Sequence, residues 1–321
     1  MRKTAMLLVT LAGGMVMPSF AQVQAQAPAA QPTAAPPSLI REGVTEKLTG
    51  HVWAIPDGSA SLVPNVGIVV GKKAVLVIDT GMGTRNAQTV LRELAKVSPE
   101  AGNTKTIYLV TTHVHPEHDM GAHAFPKNSK LIRSKDQLAD IAAGAGTNLI
   151  PVFASRSDLN KELLAGARHR DADIVFDREH TLDLGGVKAT IYAMGTNHTH
   201  GDTVVLVDGV LFSGDVAMKP QPSFANPTAK ISHWLESLDK LEKLKPEHVV
   251  PSHGPFGDAA IMQGYREYLT RIRDRTAELR KSGKTQEESV VIVTEELAAQ
   301  YPDRNRLGGA IRAAYLQAPA N

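Results

Sequence analysis

From Val44 onward, apolar and polar positions recur with two periods. Runs at 61–71, 73–79, 106–112, 130–133, 187–194, 203–213 and 248–251 have strand length and are rich in Val, Ile and Leu. Between them, 84–97, 135–143 and 230–244 repeat apolar residues three and four apart, as one face of a helix requires. Asp208-Gly209 divides the 203–213 run into a hairpin, because both residue types accept the left-handed backbone of a tight turn. Strands alternating with helices predict an α/β architecture. The tail is different. Stretches 259–282, 285–301 and 304–317 read as amphipathic helices broken at Gly283 and Pro302, so 258–321 is expected to be a helical extension.

Composition narrows the class. With 321 residues, 42% hydrophobic and 21% charged, the chain can bury a substantial core. Its N-terminus carries a basic Met1-Arg2-Lys3, an apolar stretch from Ala5 to Met17, and Ser19-Phe20-Ala21, the pattern of a cleaved signal peptide over 1–21. That apolar stretch is too short for a stable membrane anchor. Residues 22–43 are mostly Ala, Gln and Pro at their start, and are expected to be a disordered spacer. A soluble periplasmic or secreted protein follows, with no membrane anchor after cleavage. The chain has 35 basic and 33 acidic side chains, and losing Arg2 and Lys3 with the signal balances them, which leaves no electrostatic case for nucleic acid. There is no cysteine, which excludes disulfides, a thiolate nucleophile and a cysteine metal ligand. No G-x-G-x-x-G, P-loop or G-x-S-x-G element is present. The expected partner is a small-molecule substrate, and oligomeric state is left open.

Candidate chemistry concentrates after the 106–112 run. His113, His115, Glu117 and His118 fall within six positions. In extended backbone, residues two apart face the same side, so His113 and His115 can converge on one ion. Glu117 and His118, where the chain turns away, can serve a second. Imidazole and carboxylate suit zinc or a similar divalent metal. Further candidates follow later strand-like runs: His198, His200 and Asp202 after 187–194, Asp215 at the end of the hairpin, and His253 after 248–251. Asp202 is a candidate acceptor for a ligand imidazole, and His200 a candidate substrate contact or extra ligand.

This ordered set resembles the metallo-β-lactamase-fold hydrolase superfamily over roughly residues 46 to 257. His113, His115, Glu117 and His118 match its H-x-H-x-D-H motif, with glutamate in the usual aspartate position. His198 matches G-H-T-x-G-[DS], with Asn197 replacing the glycine; Asp215 matches the S-G-D aspartate and His253 the final S-H-G histidine. Asp79 matches the early D-x-G turn. The resemblance implies a four-layer αβ/βα sandwich over 44–257 with ligands on loops at one edge. It implies two divalent ions, zinc first with iron as the alternative. His113, His115 and His198 would hold one, Glu117, His118 and His253 the other, and Asp215 would be shared. A metal-bound hydroxide would attack an ester, thioester, lactone or amide-type substrate, and Glu117 would also handle its proton. Asp119 is a rival carboxylate. The alternatives are β-lactamase activity, an iron-dependent oxidoreductase on the same scaffold, and a non-catalytic metal-binding protein.

Overall fold

A computed structural model describes Met1 and residues 35–219, 221–226 and 229–319. The expected signal cleavage region and the spacer up to residue 34 lie outside the described residues. Seven strands form a first sheet in chain order: β1 (Glu46–Lys47), β2 (Val52–Ile55), β3 (Val66–Val70), β4 (Ala74–Ile78), β5 (Thr106–Val110), β6 (Lys130–Ser134) and β7 (Ile174–Phe176). Pairing is antiparallel from β1 to β4 and parallel from β4 to β7. Parallel neighbours need crossovers, supplied by helix α1 (Gly83–Val97) before β5, the short α2 (Pro116–Asp119) before β6, and α3 (Lys135–Ala142), α4 (Ile150–Ala154) and α5 (Asp158–Leu163) before β7. The second sheet holds β8 (Glu179–Asp183), β9 (Lys188–Gly195), β10 (Asp202–Val207), β11 (Val210–Gly214) and β12 (His248–Pro251), in the order β12-β11-β10-β9-β8. Helix α6 (Ile231–Lys243) precedes β12, and α7 (Ala260–Lys281), α8 (Gln286–Leu297) and α9 (Gly308–Gln317) follow it.

Strand alternation sorts these elements into four layers. In β4, Leu76 and Ile78 face the second sheet, where they pack with Ile191, Val205 and Phe212. Val75 and Val77 face the other way, onto Ala87, Val90 and Leu94 of α1. On the far side of the second sheet, Val204 and Leu211 pack with Trp234 of α6, Tyr265 of α7 and Ile311 of α9. The tail helices therefore continue the outer layer of the second sheet. Among the described residues, no helix is long and apolar enough to cross a membrane.

The hairpin turns at Asp208 (φ 49°) and Gly209 (φ 76°), as the sequence predicts. Other expectations need correction. The run 61–71 is a strand only from Val66: Pro64 lacks an amide for the ladder, Leu62 is left-handed at φ 60°, and 61–65 form a loop. The strand expected over 106–112 ends at Val110, so His113 and His115 sit in a bend. Strands β1, β2, β7 and β8 are not among the predicted runs; in β8 four of the five residues are polar, and it forms a sheet edge with one buried side chain. The end of the expected spacer is packed: Ile40 is buried and donates its amide to Asn86 Oδ1 at 2.8 Å, and Gly43 N–H reaches Glu93 Oε1 at 2.8 Å.

Candidate metal centre

Each candidate ligand lies just beyond a strand end. Asp79 follows β4, His113 and His115 follow β5, His198 follows β9, Asp215 follows β11, and His253 follows β12. Strands β4 and β5 run parallel, as do β11 and β12, so these loops meet at one edge. Pro116, with its φ preset for a first helical turn, starts α2 and turns Glu117 and His118 inward. Gly121 lets the chain leave α2 against β4's loop, since a Cβ there would sit 2.3 Å from the Thr80 carbonyl.

The structure brings seven predicted residues together. Ligand atoms of His113, His115 and His198 lie within 4.8 Å of one another, as do those of Glu117, His118 and His253, and those of His113, His118 and Asp215. His198 Nε2 is 3.2 Å from His115 Nδ1. Asp215 reaches both sets: Oδ2 is 3.4 Å from His198 Nε2, while Oδ1 is 4.0 Å from both His118 Nε2 and His253 Nε2. Glu117 Oε1 is 3.8 Å from His118 Nε2, so the longer side chain still reaches the second set.

The outer nitrogens of four rings are already occupied. His118 Nδ1 bonds Asp79 Oδ2 at 2.8 Å, His198 Nδ1 the Phe224 carbonyl at 2.6 Å, and His253 Nδ1 the Val63 carbonyl at 2.8 Å. His113 Nδ1 lies 3.2 Å from the Thr112 hydroxyl, which itself donates to Asp79. Each of these contacts fixes a ring with Nε2 turned inward. His113 Nε2, His118 Nε2, Glu117 Oε2 and Asp215 Oδ1 are buried with no hydrogen-bond partner. Buried polar atoms normally have one, and four orphans converging on one space fit a cation. These groups could hold a metal ion.

The electrostatics agree with that chemistry at His113 and His115, and differ at His118. Burial, reinforced by the neighbouring imidazoles, holds His113 and His115 well below the usual histidine range, in the neutral form a metal binds. Burial also works against charging His118, yet Asp79 pushes it up to about 9. Asp215 is held down despite its burial, by His198, His253 and His118. Burial raises Glu117, with His118 opposing.

Three candidates behave differently. Asp202 does not meet a ligand imidazole: it accepts from the His198 amide at 2.7 Å and from the Thr199 hydroxyl at 2.6 Å, and so shapes the loop backbone. Burial pushes its carboxyl up to about 8, against the pull of those Thr199 and His198 donors. His200 is outside the ligand groups, facing Asp140 at 3.8 Å on the rim of the adjoining cavity. Asp119 is spent elsewhere. Both its oxygens are engaged, by Thr111, buried Arg133 and His169. The acceptors missed by sequence reasoning are the Val63 and Phe224 carbonyls, which no residue type announces.

Beside His115 and His198 lies a cavity of about 610 Å³, walled by Leu149, Phe224, Ala225 and Ala229, with His200 and Lys230 on its lining. The family model described as the metallo-beta-lactamase superfamily matches residues 61–253. The chain belongs to this superfamily. Among superfamily relatives, it is 23% identical over 263 residues to the linear primary-alkylsulfatase of a Pseudomonas strain, covering 70% of this chain and 48% of that protein. The chain thus spans about half the length of that relative. It is 25% identical over 227 residues to the acyl-coenzyme A thioesterase MBLAC2 of Bos taurus, covering 64% of this chain and 79% of the relative. The fold of a stereoselective inverting sec-alkylsulfatase from Pseudomonas sp. matches with a TM-score of 0.64 at 15% identity, over 85% of this chain and 50% of that one.

Proposed function

We propose that the chain is an exported hydrolase that uses two divalent ions, zinc in the first instance, to cleave an ester or thioester of a small molecule bearing an apolar group. The observation carrying this reading is the inward convergence of four unpartnered buried ligand atoms while the outer ring nitrogens are tied to protein acceptors. His113, His115 and His198 would hold one ion, Glu117, His118 and His253 the other, and Asp215 would serve both. Such ions supply water activation near neutral pH and stabilisation of developing negative charge. Asp79, Thr112 and the Phe224 and Val63 carbonyls keep four imidazoles in one tautomer and orientation. Glu117 Oε2, buried and unpaired, is the atom suited to take a proton from the attacking water. Leu149, Phe224 and Ala225 offer an apolar surface next to His115 and His198, where the scissile bond would lie. The names of the alkylsulfatase and acyl-coenzyme A thioesterase relatives both describe hydrolysable groups on a carbon chain, which supports that substrate class.

The test is metal analysis and a substrate panel on one preparation: acyl esters, acyl thioesters, alkyl sulfates, lactones and β-lactams. Two zinc equivalents with turnover of an ester or thioester is the expected result. Iron with visible absorption points instead to the oxidoreductase alternative, β-lactam turnover alone to a lactamase, and bound metal with no turnover to a binding protein. Export rests on the basic start, the apolar run and Ala21, and predicts a mature N-terminus at Gln22 in the periplasmic fraction. Recovery of the uncleaved chain from the cytosol contradicts it.

A further inference from the structure

The wall of the cavity is held by side chains from the tail helices. Phe224 is 47% exposed and lines the cavity, while its carbonyl orients His198. The residues around it are gripped from the tail. Arg306 Nη1 donates to the Pro222 carbonyl at 3.1 Å, and its guanidinium lies 4.8 Å from the Phe224 ring centroid. Tyr265 Oη on α7 lies 2.8 Å from Ser223 Oγ, which in turn donates to the Asp215 carbonyl at 3.0 Å. Gln317, at the end of α9, donates Nε2 to the Ala229 carbonyl at 2.7 Å and accepts from Ile231 N–H at 2.9 Å. Gly309 allows α9 to press against the wall: a Cβ there would sit 1.8 Å from the Ala225 carbonyl.

We propose that this wall receives the acyl or alkyl chain of the substrate, and that Arg306, Gln317 and Gly309 are its positioning residues, making the C-terminal helices a part of the specificity pocket. The substrate class rests on the hydrolase reading above; the positioning role does not. The occupant follows from continuity: the cavity begins at His115 and His198, and its apolar side beyond them is Leu149, Phe224, Ala225 and Ala229, with Asp140, His200 and Lys230 also on the lining. A chain extending from the scissile bond would run along that surface and gain affinity with each buried methylene.

The experiment uses the full chain and the variants Arg306→Ala and Gln317→Ala, with Gly309→Val as a steric probe. KM and kcat are measured on p-nitrophenyl esters from acetyl to octanoyl, and hydrogen–deuterium exchange is followed in peptides covering 221–231. Arg306→Ala and Gln317→Ala are expected to raise KM for the octanoyl ester about 3-fold more than KM for the acetyl ester, since the wall that holds the chain is loosened. Exchange in 221–231 should quicken in both. An equal rise in KM along the whole series overturns the specificity role, and unchanged exchange overturns the positioning role. If the parent cleaves no ester of the series, the ester-hydrolase reading and the chain pocket fail together, while exchange still decides the positioning role. Should Gly309→Val not fold, the two alanine variants carry the result.

Discussion

The ligand cluster and the cavity wall touch at His198, yet they are built in opposite ways. Every ligand of the cluster sits within eight residues of the end of a strand, and the strands deliver them to one edge. The wall draws on irregular backbone: Ala145 and Leu149 follow the left-handed Gly144 and Gly146, and Phe224 and Ala225 lie in the long connection between β11 and α6. Both stretches need distant partners. His169 Nε2 lies 3.1 Å from the Ala145 carbonyl and Arg306 reaches Pro222, from 24 and 84 residues away. Chemistry is thus fixed by the sheets, and shape by side chains that reach across the molecule. The two should separate under mutation.

The largest separation is expected at Glu117. Glu117→Gln removes the proton acceptor and should lower kcat by ~10²–10⁴-fold with the fold intact by circular dichroism. Glu117→Asp, which restores the usual superfamily residue, should keep metal and a measurable fraction of activity. A glutamine variant with parental turnover and both metals would end the role assigned to Glu117.

Next is Arg133, which pairs with Asp119 at the end of α2, one residue from the ligand His118. Both side chains are fully buried, so Arg133→Ala leaves the Asp119 carboxylate with only Thr111 and His169 and should cost about 3 kcal/mol in urea unfolding. The exposed pair Arg304–Glu295 gives the contrast: Arg304→Ala should cost less than about 1 kcal/mol. Equal costs would remove Asp119 and Arg133 from the frame of the site.

Asp79→Ala leaves every ligand in place but frees the His118 ring, and should weaken the more loosely held ion by ~10–100-fold in a chelator titration. An unchanged titration would mean that packing alone orients His118. Smallest is Phe224→Ala, which keeps the carbonyl on His198 and removes only the ring. Metal content should stay unchanged while KM for a long-chain ester rises a few-fold. Loss of metal there would erase the distinction between cluster and wall.

What could be foreseen follows the same division. The strand–turn ligand pattern is local, so His113 to His118, His198, Asp215 and His253 are visible as residue types at strand ends, and the alternating apolar periods foretell an α/β architecture, while the two-sheet sandwich is implied only by the family resemblance. The Asp208-Gly209 turn is equally local. The long-range atoms were not visible: the Val63 carbonyl on His253 comes from a stretch whose apolar residues imitate a strand, and the Phe224 carbonyl from a segment with no periodicity. Asp202 misled because its position beside His198 is right while its partners are backbone amides and a hydroxyl. Asp119 is one residue from a ligand, yet helical rotation turns it toward Arg133 and His169.

The central claim is that two ions share Asp215. Its most direct test is metal per chain, by elemental analysis, in the parent and in Asp215→Ala prepared side by side. The account predicts two equivalents in the parent, falling toward one in the variant with most activity lost. One equivalent or none in the parent, or two in the variant with full activity, would contradict it.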